Sequence, residues 1–176
     1  MWYVMQVGTG MEERLSRSCE EELCRRSAGH SFLLRYETQR KLRGQWQTVQ
    51  KILFPGTIFF EAEDADAFVT ALREILGLTE SLKIGSPENG GQMIVPLSAR
   101  EVRLLEEVSG ADHVMRMSVG AIEGSDLKIL SGPLQSMDCS RIARIDRHKR
   151  RATMTMDLCG GERQVQVGLE VRTKTA

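Results

Sequence analysis

The chain has 176 residues, of which 41% are hydrophobic and 27% charged, a globular composition that excludes a disordered or collagen-like chain. Its 24 Lys and Arg balance 24 Asp and Glu, which argues against a body that binds polyanions over its whole surface. The longest mostly apolar stretch, residues 52–60, spans about nine residues, whereas a membrane helix needs about 20. Because no secretory signal is visible either, the sequence predicts a soluble cytoplasmic protein with no membrane contact.

The first elements follow short, clear patterns. Trp2–Val7 is rich in aromatic and β-branched residues and precedes a glycine turn, so it predicts a strand. Residues 11–28 have helical spacing, and Gly29 is predicted to end that helix. Residues 31–36 predict a second strand. The polar stretch after it predicts a hairpin with its tip near Arg43-Gly44.

A second group of elements completes the N-terminal half. Residues 51–61 predict a strand that Phe54-Pro55-Gly56 interrupts, because proline removes a donor from the ladder. Asp64 is predicted to cap a helix that runs to Leu76. A short strand at 82–84 and a loop at 85–92 follow. Ser98 and Glu101 then form a capping box that opens a helix ending near Ser109. This order predicts an α+β domain with helices against a mainly antiparallel sheet.

The C-terminal part predicts strands instead of helices. Strands are expected at 127–130, 141–145 and 152–158, and residues 164–171 alternate strictly between apolar and polar. Several short strands in about 55 residues predict a small all-β barrel. We therefore divide the chain into a domain at 1–112, a linker at 113–119 and a β-barrel domain at 120–176.

The sequence carries no arrangement typical of catalysis or metal binding. G-x-S-x-G, H-E-x-x-H and P-loop motifs are all missing from it. No C-x-x-C pair is present, and the three histidines are scattered, which predicts free thiols in a reducing compartment and neither metal nor cofactor. These patterns favour a binding protein over an enzyme.

The sharpest local feature is a basic segment at residues 141–151, with six Lys or Arg, one histidine and one Asp. It is predicted to lie at a strand–turn–strand tip, from which arginine forks can reach phosphates and unpaired bases. The alternative is a solvated basic turn that discourages edge pairing. We favour RNA contact through these residues: Arg141, Arg144, Arg147, His148, Lys149, Arg150 and Arg151.

Motifs in both halves of the chain resemble the NusG family of transcription elongation factors. Trp2-Tyr3-Val4 and, about 50 residues later, Phe54-Pro55-Gly56 are similar to motifs of its N-terminal (NGN) domain. Leu127 to Leu134 with Ile142 to Asp146 resembles its C-terminal KOW domain. The resemblance implies a monomeric NGN plus KOW protein that docks on the clamp helices of the largest RNA polymerase subunit. By position, it implies a docking patch of Tyr3, Met5, Gln6, Phe54, Thr57 and Phe59, although the same residues also suit a core.

Departures from the family pattern indicate a specialised paralogue. Thr57 replaces the usual aromatic residue, and the cluster at 147–151 is unusually basic. The run from Ile145 to Arg150 and Gly168-Leu169-Glu170 look most like the LoaP group. That resemblance implies processive antitermination guided by a leader RNA hairpin. The alternatives are a general elongation factor whose KOW domain binds Rho or a ribosomal protein, and a ribosome-associated RNA-binding module.

Overall fold

The computed structural model describes residues 1–77, 83–84, 93–124 and 126–175. Within these residues the fold is mixed α+β, as predicted, with three α-helices and three sheets. The helices are α1 (Glu12–Arg25), α2 (Ala65–Leu76) and α3 (Ala99–Ser109). The strands are β1 (Trp2–Gln6), β2 (His30–Phe32), β3 (Arg35–Leu42), β4 (Gln45–Ile52), β5 (Thr57–Glu61), β6 (Lys83–Ile84), β7 (Met93–Pro96), β8 (Val114–Met115), β9 (Ser118–Glu123), β10 (Asp126–Ser131), β11 (Ile142–Asp146), β12 (Arg151–Leu158) and β13 (Gly161–Thr175).

The chain divides into two compact units. The first comprises Met1–Leu33 and Phe54–Val102, and the second comprises Leu34–Leu53 and Arg103–Ala176. The hairpin β3–β4 therefore groups with the C-terminal strands. Residues 113–119, predicted as a linker, contain β8 and the start of β9. The domain boundaries drawn from the sequence stay a prediction, and the predicted loop at 85–92 lies outside the described residues.

The first unit contains a five-stranded sheet in the order β2-β5-β1-β7-β6. Strand β1 pairs antiparallel with both β5 and β7, and β6 pairs parallel with β7. Aromatic side chains fill the core, with Tyr3 stacked on Phe68 of α2 at 5.1 Å between ring centroids. Helix α1 packs against β2, β5 and α2.

Helix caps confirm much of the local prediction. Asp64 accepts hydrogen bonds from the backbone N–H groups of Asp66 and Ala67, at 2.9 and 3.0 Å, and so begins α2. The Ser98 hydroxyl and backbone N–H both donate to Glu101, which forms the predicted capping box of α3.

The end of α1 differs from the prediction. The helix ends at Arg25, and the left-handed residue after it is Ser27, with φ 52°, rather than Gly29. Gly29 is required for another reason. A Cβ atom there would lie 2.6 Å from the backbone oxygen of Glu61, so a side chain would push β5 away.

The predicted strand at 31–36 is in fact two strands. His30–Phe32 pairs with β5, whereas the chain from Arg35 onward pairs with β4 and β8 in a different sheet. The hairpin tip is as predicted: Arg43 and Gly44 both have positive φ, 48° and 84°. Such a pair matches the type I′ turn, whose twist suits two antiparallel strands.

The second unit also holds a five-stranded sheet in the order β10-β9-β13-β12-β11. Strands β10 and β11 lie at its edges, and no pairing between described residues joins them into a closed ring. Strand β13 passes so close to β3 that a Cβ atom at Gly168 would lie 2.1 Å from the backbone oxygen of Glu37. Two short 3₁₀ helices, Pro133–Ser136 and Cys139–Arg141, connect β10 to β11. None of the helices in the described ranges has the length and hydropathy that crossing a membrane requires.

Candidate nucleic-acid interface

A tight turn joins β11 to β12 and carries most of the predicted basic cluster. Asp146 pairs with Arg151 at the base of the turn, and its carboxylate accepts a hydrogen bond from the backbone N–H of Lys149 at 3.0 Å. Arg150 has a left-handed φ of 48°. The acidic residue of the segment thus orders the turn instead of neutralising its arginines.

Four of the predicted RNA-binding side chains are exposed, Arg147, His148 and Lys149 on this turn and Arg144 beside it on β11. Within the described parts of the chain, no ion pair joins Arg144 or Arg147 to a carboxylate. Lys149 lies 4.0 Å from Asp146, at the outer limit of an ion pair. Arg144, Lys149 and Arg151 also line one depression of about 120 Å³. These cations are therefore available to a polyanion.

Arg150 is held in place by neighbouring groups. Its guanidinium lies 4.2 Å from the centroid of the Trp46 ring, which is a cation–π contact. It also pairs with Glu170 at 3.2 Å and donates a hydrogen bond to Gln39. Arg151 donates to Gln166 at 3.0 Å. Arg150 therefore has a structural role in fixing the turn against the hairpin β3–β4.

Arg141 lies apart from the turn. Its two terminal nitrogens bind both oxygens of Asp157 at 2.8 Å, and Glu162 lies 3.4 Å away. The hydrogen bonds to Asp157, despite partial burial, raise the pKa of Arg141 above its usual value. Asp157 is six residues from Arg151 along β12, which corresponds to about 20 Å. The structure thus gathers the residues of the turn and leaves Arg141 outside them.

A groove beside the turn adds residues that the sequence analysis missed. It measures about 320 Å³ and lies between the hairpin β3–β4 and the turn. The hairpin contributes basic side chains and an exposed tryptophan: Arg40, Lys41, Trp46 and Lys51. The sequence feature that could have indicated this groove is a single tryptophan, Trp46, between basic residues in a polar stretch.

The residues predicted to dock RNA polymerase lie mostly in the core of the first unit. Tyr3, Met5, Phe54, Thr57 and Phe59 are all at most 3% exposed. Gln6 is exposed, and its side-chain amide donates to the Thr57 hydroxyl at 3.2 Å. The docking role of all six stays a prediction, and the observed role of the five buried residues is core packing.

A buried carboxylate holds the Phe54-Pro55-Gly56 turn. Glu12 is 2% exposed, and it accepts hydrogen bonds from the backbone N–H groups of Gly10 and Gly56 at 2.6 and 2.7 Å. Burial raises the pKa of Glu12, but the hydrogen bonds from the N–H groups of Glu12 itself, Gly56 and Gly10 outweigh it, so the pKa lies below its usual value.

One cluster has the side-chain types of a metal site. The Cys24 sulfur lies 3.1 Å from a Glu20 oxygen and 3.4 Å from His30 Nδ1, and His30 Nδ1 lies 3.1 Å from the same oxygen. The thiol donates to Glu20, and this hydrogen bond raises the pKa of Cys24. Glu20 also accepts the backbone N–H of Ser31. A hydrogen-bond network accounts for the arrangement without an ion.

Comparison with known proteins adds a family-level match. The family model described as "Transcription termination factor nusG" matches residues 1–106. A structure described as "Domain interaction in Thermotoga maritima NusG" aligns with a TM-score of 0.48 and 19% identity, covering 97% of this chain and 93% of that one. A structure of the MjSpt4:Spt5 complex aligns with a TM-score of 0.31 and 11% identity, covering 98% and 100%. No curated protein matches the chain.

Proposed function

Because the chain belongs to the NusG family of transcription factors, we propose that it is an elongation factor that acts as a processive antiterminator. In this proposal the N-terminal domain, residues 1–112, docks on the clamp helices of RNA polymerase. The C-terminal strands act as a KOW domain whose basic turn binds a hairpin in the nascent leader RNA. In this proposal the protein is a cytoplasmic monomer that catalyses no reaction. Among the specialised members of the family, it is most similar to the LoaP group.

The observation that supports RNA binding is the set of exposed cations at the turn between β11 and β12. Arg147, His148 and Lys149 are exposed on a turn that Asp146 orders, and Arg144 is exposed beside it on β11. Arginine and lysine bind phosphate through charge-assisted hydrogen bonds. Four phosphate contacts would give a slope of about −3 to −4 for log K against log salt.

Modest affinities for polymerase and for nascent RNA suffice for this function. When the chain holds polymerase and nascent RNA together, each contact raises the effective concentration of the other ligand. The family match supports the polymerase contact, and the basic turn supports the RNA contact. The combination would keep the factor on the polymerase through successive pauses and terminators.

The deciding experiment is fluorescence anisotropy of the full chain with the leader transcript of its own operon. The test variant is Arg144→Ala/Arg147→Ala/Lys149→Ala. The matched control, Arg14→Ala/Arg17→Ala/Arg103→Ala, removes three exposed cations elsewhere. We expect the test variant to lose at least tenfold in affinity and terminator read-through to fall with it. Equal losses in both variants, or binding equal to that of a shuffled RNA, would contradict the proposal.

A second candidate is a general elongation factor whose KOW domain binds a protein such as Rho or a ribosomal protein. Leu130 favours it, because this side chain is 48% exposed on the edge strand β10. Edge strands offer unpaired backbone groups to a partner strand. In that case Leu130→Glu should abolish the protein contact and leave RNA affinity unchanged.

A further inference from the structure

Trp46 is a large aromatic side chain that the fold leaves open to solvent. It is 38% exposed on β4, whereas the other tryptophan of the chain, Trp2, is 3% exposed. Its pairing partner across the hairpin is Lys41. The part of the indole that stays exposed lies among cations, a setting that suits a ligand with both an aromatic face and negative charge.

The Trp46 ring has a fixed orientation. The guanidinium of Arg150 lies 4.2 Å from the ring centroid, and Glu170 and Gln39 hold that guanidinium. A ring held in this way loses little conformational freedom when a ligand stacks on it. Arg150 covers one face of the ring, and the ring also borders the groove between the hairpin β3–β4 and the basic turn.

The groove has the charge and size for a nucleotide. Besides Trp46 it is lined by five Lys or Arg side chains, Arg40, Lys41, Lys51, Lys149 and Arg151, and no lining residue is acidic. Its volume of about 320 Å³ is at the small end of ligand clefts, which measure about 300–1,000 Å³. Such a volume suits one nucleotide and is too small for a duplex.

We propose that an unpaired RNA base stacks on Trp46 while the surrounding lysines and arginines hold the adjacent phosphates. Aromatic side chains that stack bases within a basic groove are the general means of binding single-stranded nucleic acid. This inference rests on the proposed RNA-binding function and refines it: the protein binds the leader hairpin at an unpaired loop or bulge nucleotide, with the exposed turn on the flanking phosphates.

The test uses the full chain and two probes, a 12-nucleotide single-stranded RNA of mixed sequence and the blunt 12-base-pair duplex made from it. The single strand should quench tryptophan emission, and the duplex should quench it much less. Trp46→Phe retains Trp2 as the remaining tryptophan, so the quenching should vanish in this variant. Trp46→Leu should lower affinity for the single strand about tenfold and leave the salt slope unchanged.

The outcomes separate this inference from the proposed function. Quenching that disappears with Trp46→Phe, together with the loss in Trp46→Leu, would support stacking. If Trp46→Leu keeps full affinity while Arg144→Ala/Arg147→Ala/Lys149→Ala loses it, the stacking site is overturned and the RNA-binding function stands. If the single strand does not bind the wild-type chain, the stacking site is overturned, and the anisotropy experiment with the leader transcript decides the RNA-binding function separately. If a deca-glutamate peptide, which has no aromatic group, quenches Trp46 as strongly as the single strand does, the quenching reports negative charge and the stacking site is overturned. Far-ultraviolet circular dichroism verifies that each variant is folded.

Discussion

The carboxylate of Glu12 binds the backbone N–H of Gly56 at 2.7 Å and so joins the first turn of α1 to the Phe54-Pro55-Gly56 turn. Its second oxygen accepts the N–H of Gly10 at 2.6 Å. Both oxygens are therefore engaged, and the side chain is 2% exposed. The shape of the Phe54-Pro55-Gly56 turn thus depends on a carboxylate more than 40 residues away in sequence.

Glu12→Gln should destabilise the protein by about 2 kcal/mol, because the single amide oxygen can accept only one of the two backbone N–H groups and the amide NH2 would face the other donor. Denaturant unfolding at pH 7 measures the loss. Glu107→Gln, which changes an exposed carboxylate on α3, is the matched control and should leave the midpoint unchanged.

The stability contribution of Glu12 should depend on pH in one direction. Its folded pKa is depressed, so the contribution is complete above the unfolded pKa of about 4.3 and disappears as pH falls through the folded pKa. Unfolding experiments between pH 7 and pH 3 should therefore show a shallower acid loss for Glu12→Gln than for the wild type. Parallel curves would exclude this role.

Gly168→Ala should cost about 3 kcal/mol, because the new methyl group would lie where the backbone oxygen of Glu37 already is. Thermal melting tests this. Gly161→Ala on the same strand is the control, since the nearest atom to a Cβ there is 3.9 Å away. A similar melting temperature for both variants would show that β13 and β3 are farther apart in solution.

Arg141→Ala should reduce stability, whereas Arg144→Ala should reduce RNA affinity. Arg141 is engaged by Asp157 and Glu162, so its removal should lower the melting temperature and leave RNA affinity nearly unchanged. Arg144 is exposed beside the turn, so its removal should weaken RNA binding several-fold without affecting melting. Melting curves and anisotropy on the same samples decide between the two roles. An equal loss of RNA affinity would return Arg141 to the binding surface.

Asp146→Asn should strengthen RNA binding about twofold. The amide oxygen can still accept the N–H of Lys149, so the turn keeps its shape while a negative charge beside the cations disappears. Anisotropy at low salt would show the gain, and higher salt would reduce it. Weaker binding by a folded variant would contradict the structural role given to Asp146.

Much of the fold could be predicted because it depends on neighbouring residues. The Asp64 cap, the Ser98–Glu101 capping box and the Arg43-Gly44 tip are each determined within a few positions. The prediction of one strand at residues 31–36 was wrong. The residue pattern is continuous, but the two ends of this segment pair with strands of different sheets.

The candidate site was harder to predict because its partners are far apart in sequence. Arg150 and Arg147 look equivalent in the sequence, yet Arg150 is fixed by Trp46 and Glu170. Trp46 lies about 100 residues before the basic turn, so nothing in the spacing linked the two. The burial of Tyr3 and Phe59 likewise follows from the packing of whole strands.

The hairpin β3–β4 lies within residues 1–106, which the family model matches, but it packs in the second compact unit. In a truncated protein ending at residue 112, strand β3 would keep its neighbour β4. It would lose its neighbour β8 and its close contact with β13 at Gly168. The Tyr36 hydroxyl would lose Gln166, its hydrogen-bond acceptor at 3.2 Å, and a ring now 3% exposed would face water. An isolated fragment ending at residue 112 should therefore expose that face and aggregate through it.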